Sequence, residues 1–418
     1  MNKLKLNTEY AASFGAYWMI FAIAGSLASV FMLAKGYSNT QIGVTLAAAN
    51  IVAMAFQPFI ADHMDKAKGV TLIDMVAWST LVIMIIGAGY FFFKGGTFML
   101  ALVIMLVLAI HALLQPLMNT LAFRLSESGV NVSFGFGRAG GSLGYSLIVA
   151  AVGTLVEKKG VMTMPVCIEA ACLLLIVLLL LTKHSCNRIV RQADAAAADG
   201  MSEAGAAARR RANAERIDIN AFVKRNKNFF IVNLGLAAIL FSNAVLSTYM
   251  AQIAGNVNGT TEQVGRILSL MALAEIPVMI FYDKIHKHFS SRTLIKVASV
   301  GFTLKIAVCW LARSVGMLYA AQVFQFIGFA LMMPAMVYYI NEIMSQGEAV
   351  KGQALFTMML TFSTIAASFA GGWILDAYGA RTLTFISTIV TAAGAVVVNL
   401  FIGKVKSHKE QPDESDCQ

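Results

Sequence analysis

Long apolar runs separated by short polar stretches recur along almost the entire chain. Runs long enough to cross a bilayer, about 20 residues each, fall at 9–33, 40–61, 70–93, 97–124, 134–156 and 161–182. A second set falls at 228–254, 262–283, 292–313, 316–343, 350–377 and 380–403. The pattern predicts an all-α membrane protein with twelve transmembrane helices in two six-helix halves, 1–183 and 227–404. A polar connector, 184–226, joins them, and a polar tail, 405–418, follows. Two matched sets of spans are the plan of transporters built from structural repeats. No segment outside the spans is large enough to carry separate chemistry.

Composition supports this reading. Of 418 residues, 58% are hydrophobic and 13% charged, and the mean hydropathy is +0.71, well outside the range of soluble domains. The net charge of +10 would suggest nucleic acid in a soluble protein, but its placement explains it otherwise. Arg188, Arg191, Arg209, Arg210, Arg211 and Arg216 crowd the connector, and Lys284, Lys287 and Arg292 lie between spans 8 and 9. With Lys3 and Lys5 ahead of span 1, all fall on one side, which the positive-inside rule makes cytoplasmic, along with both termini. The first residues carry no cleavable signal, so span 1 is expected to be retained and the protein to lie in a bacterial plasma membrane. The connector's Ala-rich, charged composition cannot drive a packed core, and its basic triplet suits topology and anionic lipid.

The chemistry of an enzyme is not visible. Cys167, Cys172 and Cys309 lie within spans without metal or disulfide spacing, and no cofactor is expected. Phosphate-cradling loops, His-Glu-x-x-His and Gly-x-Ser-x-Gly are missing from the sequence, which argues against an ATP-driven pump. A proton or sodium gradient, or the solute's own gradient, is the expected energy source, and a monomer in the bilayer the expected form.

Polar residues at membrane depth are the candidate site. Arg138 interrupts the apolar, glycine-rich span 5, where an unsatisfied guanidinium is expensive and marks function by default. Tyr145 lies two turns on, at i+7, facing the same direction. Span 4 carries His111, Gln115 and Asn119 at i, i+4 and i+8, a polar stripe that lipid would penalise. Gln322 and Gln325 lie one turn apart on span 10, and Asn243 on span 7. Such groups can simply bond helices together; together with the buried charges they point to a polar central cavity. Glu275, close to Pro277 on span 8, and Lys305 on span 9 form an expected pair for coupling, because a carboxyl at that depth can exchange protons as access alternates.

These residues resemble those of the oligosaccharide:proton symporters of the major facilitator superfamily. The similarity is most specific at 134–145, where Phe-Gly-x-x-Arg-x-x-Gly-x-x-Gly-aromatic runs without a gap. It puts Arg138 on the family's sugar-binding arginine and Tyr145 on its sugar-stacking tryptophan. Gln57-Pro58 followed by Asp65-Lys66 resembles the loop 2–3 motif that gates access, with Ala61 where the glycine usually stands. The departures are informative. Asn119 or Thr120 stands where the acidic partner of the arginine is expected, Gln325 replaces a histidine, and Gly328 replaces the proton-carrying glutamate. Asn243, Leu246 and Gln322 replace members of buried charge pairs, so no partner is left stranded. The resemblance therefore implies a transporter of a polar organic solute, a sugar or glycoside, with coupling moved to Glu275 and Lys305. An organic anion or a nucleoside is the alternative cargo, and a non-transporting membrane receptor the alternative class.

Overall fold

The computed structural model describes residues 3–66, 69–93, 95–127, 132–197, 226–344 and 346–405. The first half contains α1 (Lys3–Phe21), a π-helical turn (Ala22–Ser26) and α2 (Ala28–Ala34). It continues through α3 (Asn39–Lys66), α4 (Gly69–Gly87), α5 (Gly89–Phe92), α6 (Phe98–Glu127), α7 (Phe134–Lys159) and α8 (Thr163–Ala197). The second contains α9 (Lys227–Gly255), α10 (Thr261–His288), α11 (Ser291–Leu311), α12 (Val315–Ala321), α13 (Phe329–Ile343) and α14 (Gln346–Phe401).

Among the described residues, ten helices are long and apolar enough to cross a membrane, and the pair α1 and α2, bent by 41°, makes an eleventh. The apolar stretch Glu348–Phe401 has 54 residues, or about 80 Å of helix at 1.5 Å per residue, against a hydrocarbon core of about 30 Å. Its backbone breaks at Gly379, with φ 81° and ψ 174°, a conformation that only glycine adopts readily. That break divides α14 into two crossings, which completes the twelve expected. Large apolar side chains such as Trp78, Phe92 and Ile85 point outward, 69%, 78% and 67% exposed, a surface suited to lipid. Helix α8 runs on to Ala197, into residues expected to belong to the connector.

Small residues set the closest helix contacts. A Cβ on Gly144 of α7 would stand 2.7 Å from Gly15 Cα of α1, so α7 packs against its neighbour as its glycines predict. The two halves are clasped at the membrane face opposite the connector. Asp376, at the end of the first arm of α14, accepts from Asn39 N at 3.0 Å, Thr40 N at 2.7 Å and Asn39 Nδ2 at 2.9 Å, closing over the start of α3. Gln252 of α9 donates to Asn39 Oδ1 at 2.9 Å. On the other side, Glu157 near the end of α7 accepts from Thr261 N at 2.9 Å, at the start of α10. Each carboxylate meets the electropositive N-terminus of a helix from the other half.

Candidate functional site

Two adjoining lobes, each of about 260 Å³, lie between the halves. Trp18, Phe21, Ser26, Ser247, Thr248, Leu360 and Thr364 border both, so they form one divided cavity. Together the lobes reach the size of small-molecule sites, about 300–1,000 Å³.

Broken helices build the site. The π-helical turn at Ala22–Ser26 interrupts span 1 beside the cavity; a Cβ on Gly25 would lie 2.7 Å from the Phe21 ring, so the turn and the ring are packed as a unit. Such π-turns inside helices recur at functional sites. Span 10 breaks as well: a 3-10 turn (Gln322–Gln325) follows α12, and Gly328 has φ −90° and ψ −105° before α13 resumes. Discontinuous helices are tolerated at membrane depth where they line a cavity or are covered by protein.

The first lobe gathers Arg138, Tyr145, Asn243, Glu275 and Gln325. The Arg138 guanidinium lies over the Trp18 ring, 5.1 Å from its centroid, a cation–π arrangement. Tyr145 donates its hydroxyl to Ser26 Oγ at 2.8 Å, which anchors the ring at the wall of the lobe. Trp18 Nε1 and Asn243 Oδ1 are enclosed without a partner among the described residues, one donor and one acceptor sealed within residues that line the same lobe.

Glu275 and Lys305 are joined through an amide. Lys305, 1% exposed, donates to Gln325 Oε1 at 2.5 Å, and Gln325 Nε2 donates to Glu275 Oε1 at 3.1 Å. An ammonium can only donate, so the amide oxygen must face Lys305 and its N–H must face the carboxylate. Among the described residues no direct Glu275–Lys305 ion pair forms; Gln325 spaces the charges and carries Glu275 to the cavity wall. Lys305 itself lies behind that wall, outside the lining of either lobe.

The stripe on α6 divides. His111 and Gln115 border the second lobe, whereas Asn119 borders neither. His111 also locks α1 to α6: its ring stacks on Tyr17 at 4.2 Å, Nε2 meets Tyr17 O at 3.0 Å, and Tyr17 donates to His111 O at 3.1 Å. Gln322, fully buried, spends its N–H on Leu318 O at 2.8 Å within its own helix, while its Oε1 is enclosed without a partner. Asp65 and Lys66 end α3, and their side chains lie outside the described residues.

Trp18, Phe21 and Ser26 were not legible as site residues in the sequence, because aromatic and small residues in span 1 look like ordinary helix packing. The Gly25-Ser26 pair was the available signal of a break. The missing carboxylate beside Arg138 has a structural answer too. Glu275 borders the same lobe from the opposite half.

A divided, largely apolar cavity that carries Arg138, Glu275 and Gln325 between two six-helix halves, bordered by interrupted helices, is the arrangement of a membrane transporter. The chain belongs to the MFS_1-like family of major facilitator superfamily transporters, whose profile matches residues 11–409. It is 22% identical over 418 residues to the uncharacterized transporter YwbF of Bacillus subtilis strain 168, an alignment covering 98% of this chain and 97% of that one. Among solved structures, the nucleoside transporter NupG has the same fold, with a TM-score of 0.66 and 16% identity over 96% of this chain and 99% of its own. So does a bacterial homologue of the human lysosomal transporter Spinster, solved inward-facing and unoccupied, with a TM-score of 0.65 and 13% identity over 97% and 99%. The family match carries the superfamily assignment, and the structural likenesses carry the fold.

Proposed function

We propose that this protein is a proton-coupled symporter of a bacterial plasma membrane that moves a neutral polar organic solute, a sugar or glycoside, through the cavity between its halves. One observation carries the reading: Arg138 from the first half and Glu275 from the second border the same lobe. A solute hydroxyl can accept from the guanidinium and donate to the carboxylate, so a bound solute ties the two halves together. Tyr145 offers a ring face for an apolar sugar face.

Coupling is assigned to Glu275. Its carboxylate is shared between the cavity and the Gln325–Lys305 relay, so proton binding there changes both solute recognition and the charge balance around Lys305. Glu275→Gln in proteoliposomes is expected to abolish uphill uptake driven by an imposed pH gradient while solute exchange continues. Unchanged uphill uptake eliminates Glu275 as the proton carrier.

A nucleoside is the second reading, favoured by the fold shared with a nucleoside transporter. An organic anion is disfavoured by the Glu275 carboxylate in the lobe that contains Arg138. Gating by Asp65 and Lys66 belongs to the same proposal and rests on the loop 2–3 resemblance.

A further inference from the structure

After α14 the chain is held beside a basic edge of the second half. A 3-10 turn (Ile402–Lys404) leads to Val405, and both Ile402 and Val405 are buried. Tyr339 of α13 donates to Ile402 O at 3.1 Å, and Arg292 of α11 donates to Val405 O at 3.2 Å. Arg292 belongs to a basic run that spans the turn between two helices: Lys284, His286, Lys287 and His288 in the last turns of α10, then Arg292 and Lys296 at the start of α11. Lys284 and Lys287 are exposed. The acids of this edge are engaged elsewhere. Asp283 accepts from the Tyr338 hydroxyl at 2.7 Å, and Glu342 accepts from Ser291 Oγ at 2.7 Å beside His286 Nε2 at 3.4 Å. Among the described residues Lys284, Lys287, Arg292 and Lys296 form no ion pair.

Beyond Val405 the sequence supplies the opposite charge. Glu410, Asp413, Glu414 and Asp416 fall within a stretch, 410–416, that contains no lysine or arginine; it lies outside the described residues. We propose that the acidic stretch 410–416 docks on the basic edge between α10 and α11, an intramolecular contact that covers the connector-side end of the helix carrying Glu275. The reach is sufficient. At about 3.5 Å per extended residue, Glu410 extends up to about 17 Å from Val405 and Asp416 up to about 38 Å, whereas Lys287, five residues from Arg292, lies within about 18 Å of it. Tethering at Val405 gives the acids a high effective concentration, so ion pairs that are individually weak at a surface suffice together. Anionic lipid headgroups attract the lysines but repel these acids. The connector's arginines carry the same sign as the edge, but Tyr339 and Arg292 start the stretch at the edge itself.

The test applies a zero-length carbodiimide, which joins carboxylates to lysines, to the full chain held singly in phosphatidylcholine nanodiscs, with peptide mass spectrometry as the readout. Amide links from 410–416 to Lys284 or Lys287 are expected at about 20 mM salt and to fall at least about fivefold at about 500 mM, where screening shortens to a few ångströms. Asp413→Lys with Glu414→Lys leaves Glu410 and Asp416 to report, and their links are expected to fall at least about fivefold as the reversed charges repel the edge. Both substitutions lie outside the helices, so the fold is not at stake, and the salt series needs no variant. Links confined to Lys183, Lys224 or Lys227 assign the stretch to the connector and overturn the proposal. Links that vanish when phosphatidylglycerol replaces phosphatidylcholine assign the edge to lipid, with the same consequence. A lack of links to Lys284 and Lys287, or links that neither salt nor the reversed charges reduce, overturns it as well.

Discussion

A guanidinium buried within a span must be satisfied, and Arg138, one turn from the start of α7, is satisfied in an unusual way. Trp18 supports one face of it, and the counter-charge, Glu275, comes from the opposite half across the cavity. Removing one member of such a pair strands the other at a cost of about 3–5 kcal/mol in a dry interior, but a lining position with water or solute at hand softens that penalty. The more telling substitution therefore keeps the charge. In Arg138→Lys an ammonium replaces the planar fork, and solute affinity is expected to fall about ten- to a hundredfold because bidentate geometry is lost. Near-normal affinity by calorimetry removes Arg138 from the solute site. Lys305 and Gln325 have a different task. A buried lysine whose only described partner is an amide oxygen makes the orientation of Gln325, and through it the Glu275 carboxylate, a matter of charge rather than of packing.

The interruptions in the helices do more to form the cavity than the helices themselves. The π-helical turn brings Phe21 and Ser26 to the border of both lobes, and the 3-10 turn sets Gln322 and Gln325 on the buried side of span 10. Gly25→Val is expected to push the Phe21 ring out of its place over residue 25, narrowing the passage between the lobes and destabilising the fold by about 1–3 kcal/mol, as overpacking does. Thermal unfolding and solute uptake measure the two effects; unchanged values for both remove the turn from the site. The spans were legible because bilayer thickness imposes a run length that composition must meet, and Arg138 and Glu275 because charges at that depth are conspicuous. The breaks were not legible, since the phase shift that a π turn introduces leaves no mark in a span with little amphipathic pattern to interrupt. Nor could the sequence pair Arg138 with Glu275: they lie far apart in the chain, and only the packing of one half against the other brings them to one lobe. Asn119 shows the converse, a polar residue in perfect helical register with His111 and Gln115 that borders neither lobe.

Alternating access requires the face opposite the connector to open, and the clasp there is built twice on one scheme. Asp376 covers the start of α3, and Glu157 covers the start of α10. Both contacts join a carboxylate near the end of one span to backbone N–H groups at the start of a span from the other half, so neither needs a basic side chain and both separate when the halves rock apart. The α3 and α14 helices touch closely at the same place: a Cβ on Gly43 would collide with the Ser368 carbonyl, and one on Gly372 with the Asn39 carbonyl. A pair of cysteines, Asn39→Cys with Asp376→Cys, bridged by a short thiol crosslinker, is therefore expected to abolish solute uptake and to recover it when a cleavable linker is reduced. Solute binding from the connector side should survive in the bridged protein, because Arg138 and Glu275 are untouched, and that separates a blocked cycle from a damaged site. Full uptake with the bridge in place means that this face does not open during transport, and the rocking of the two halves about the central cavity would have to be abandoned.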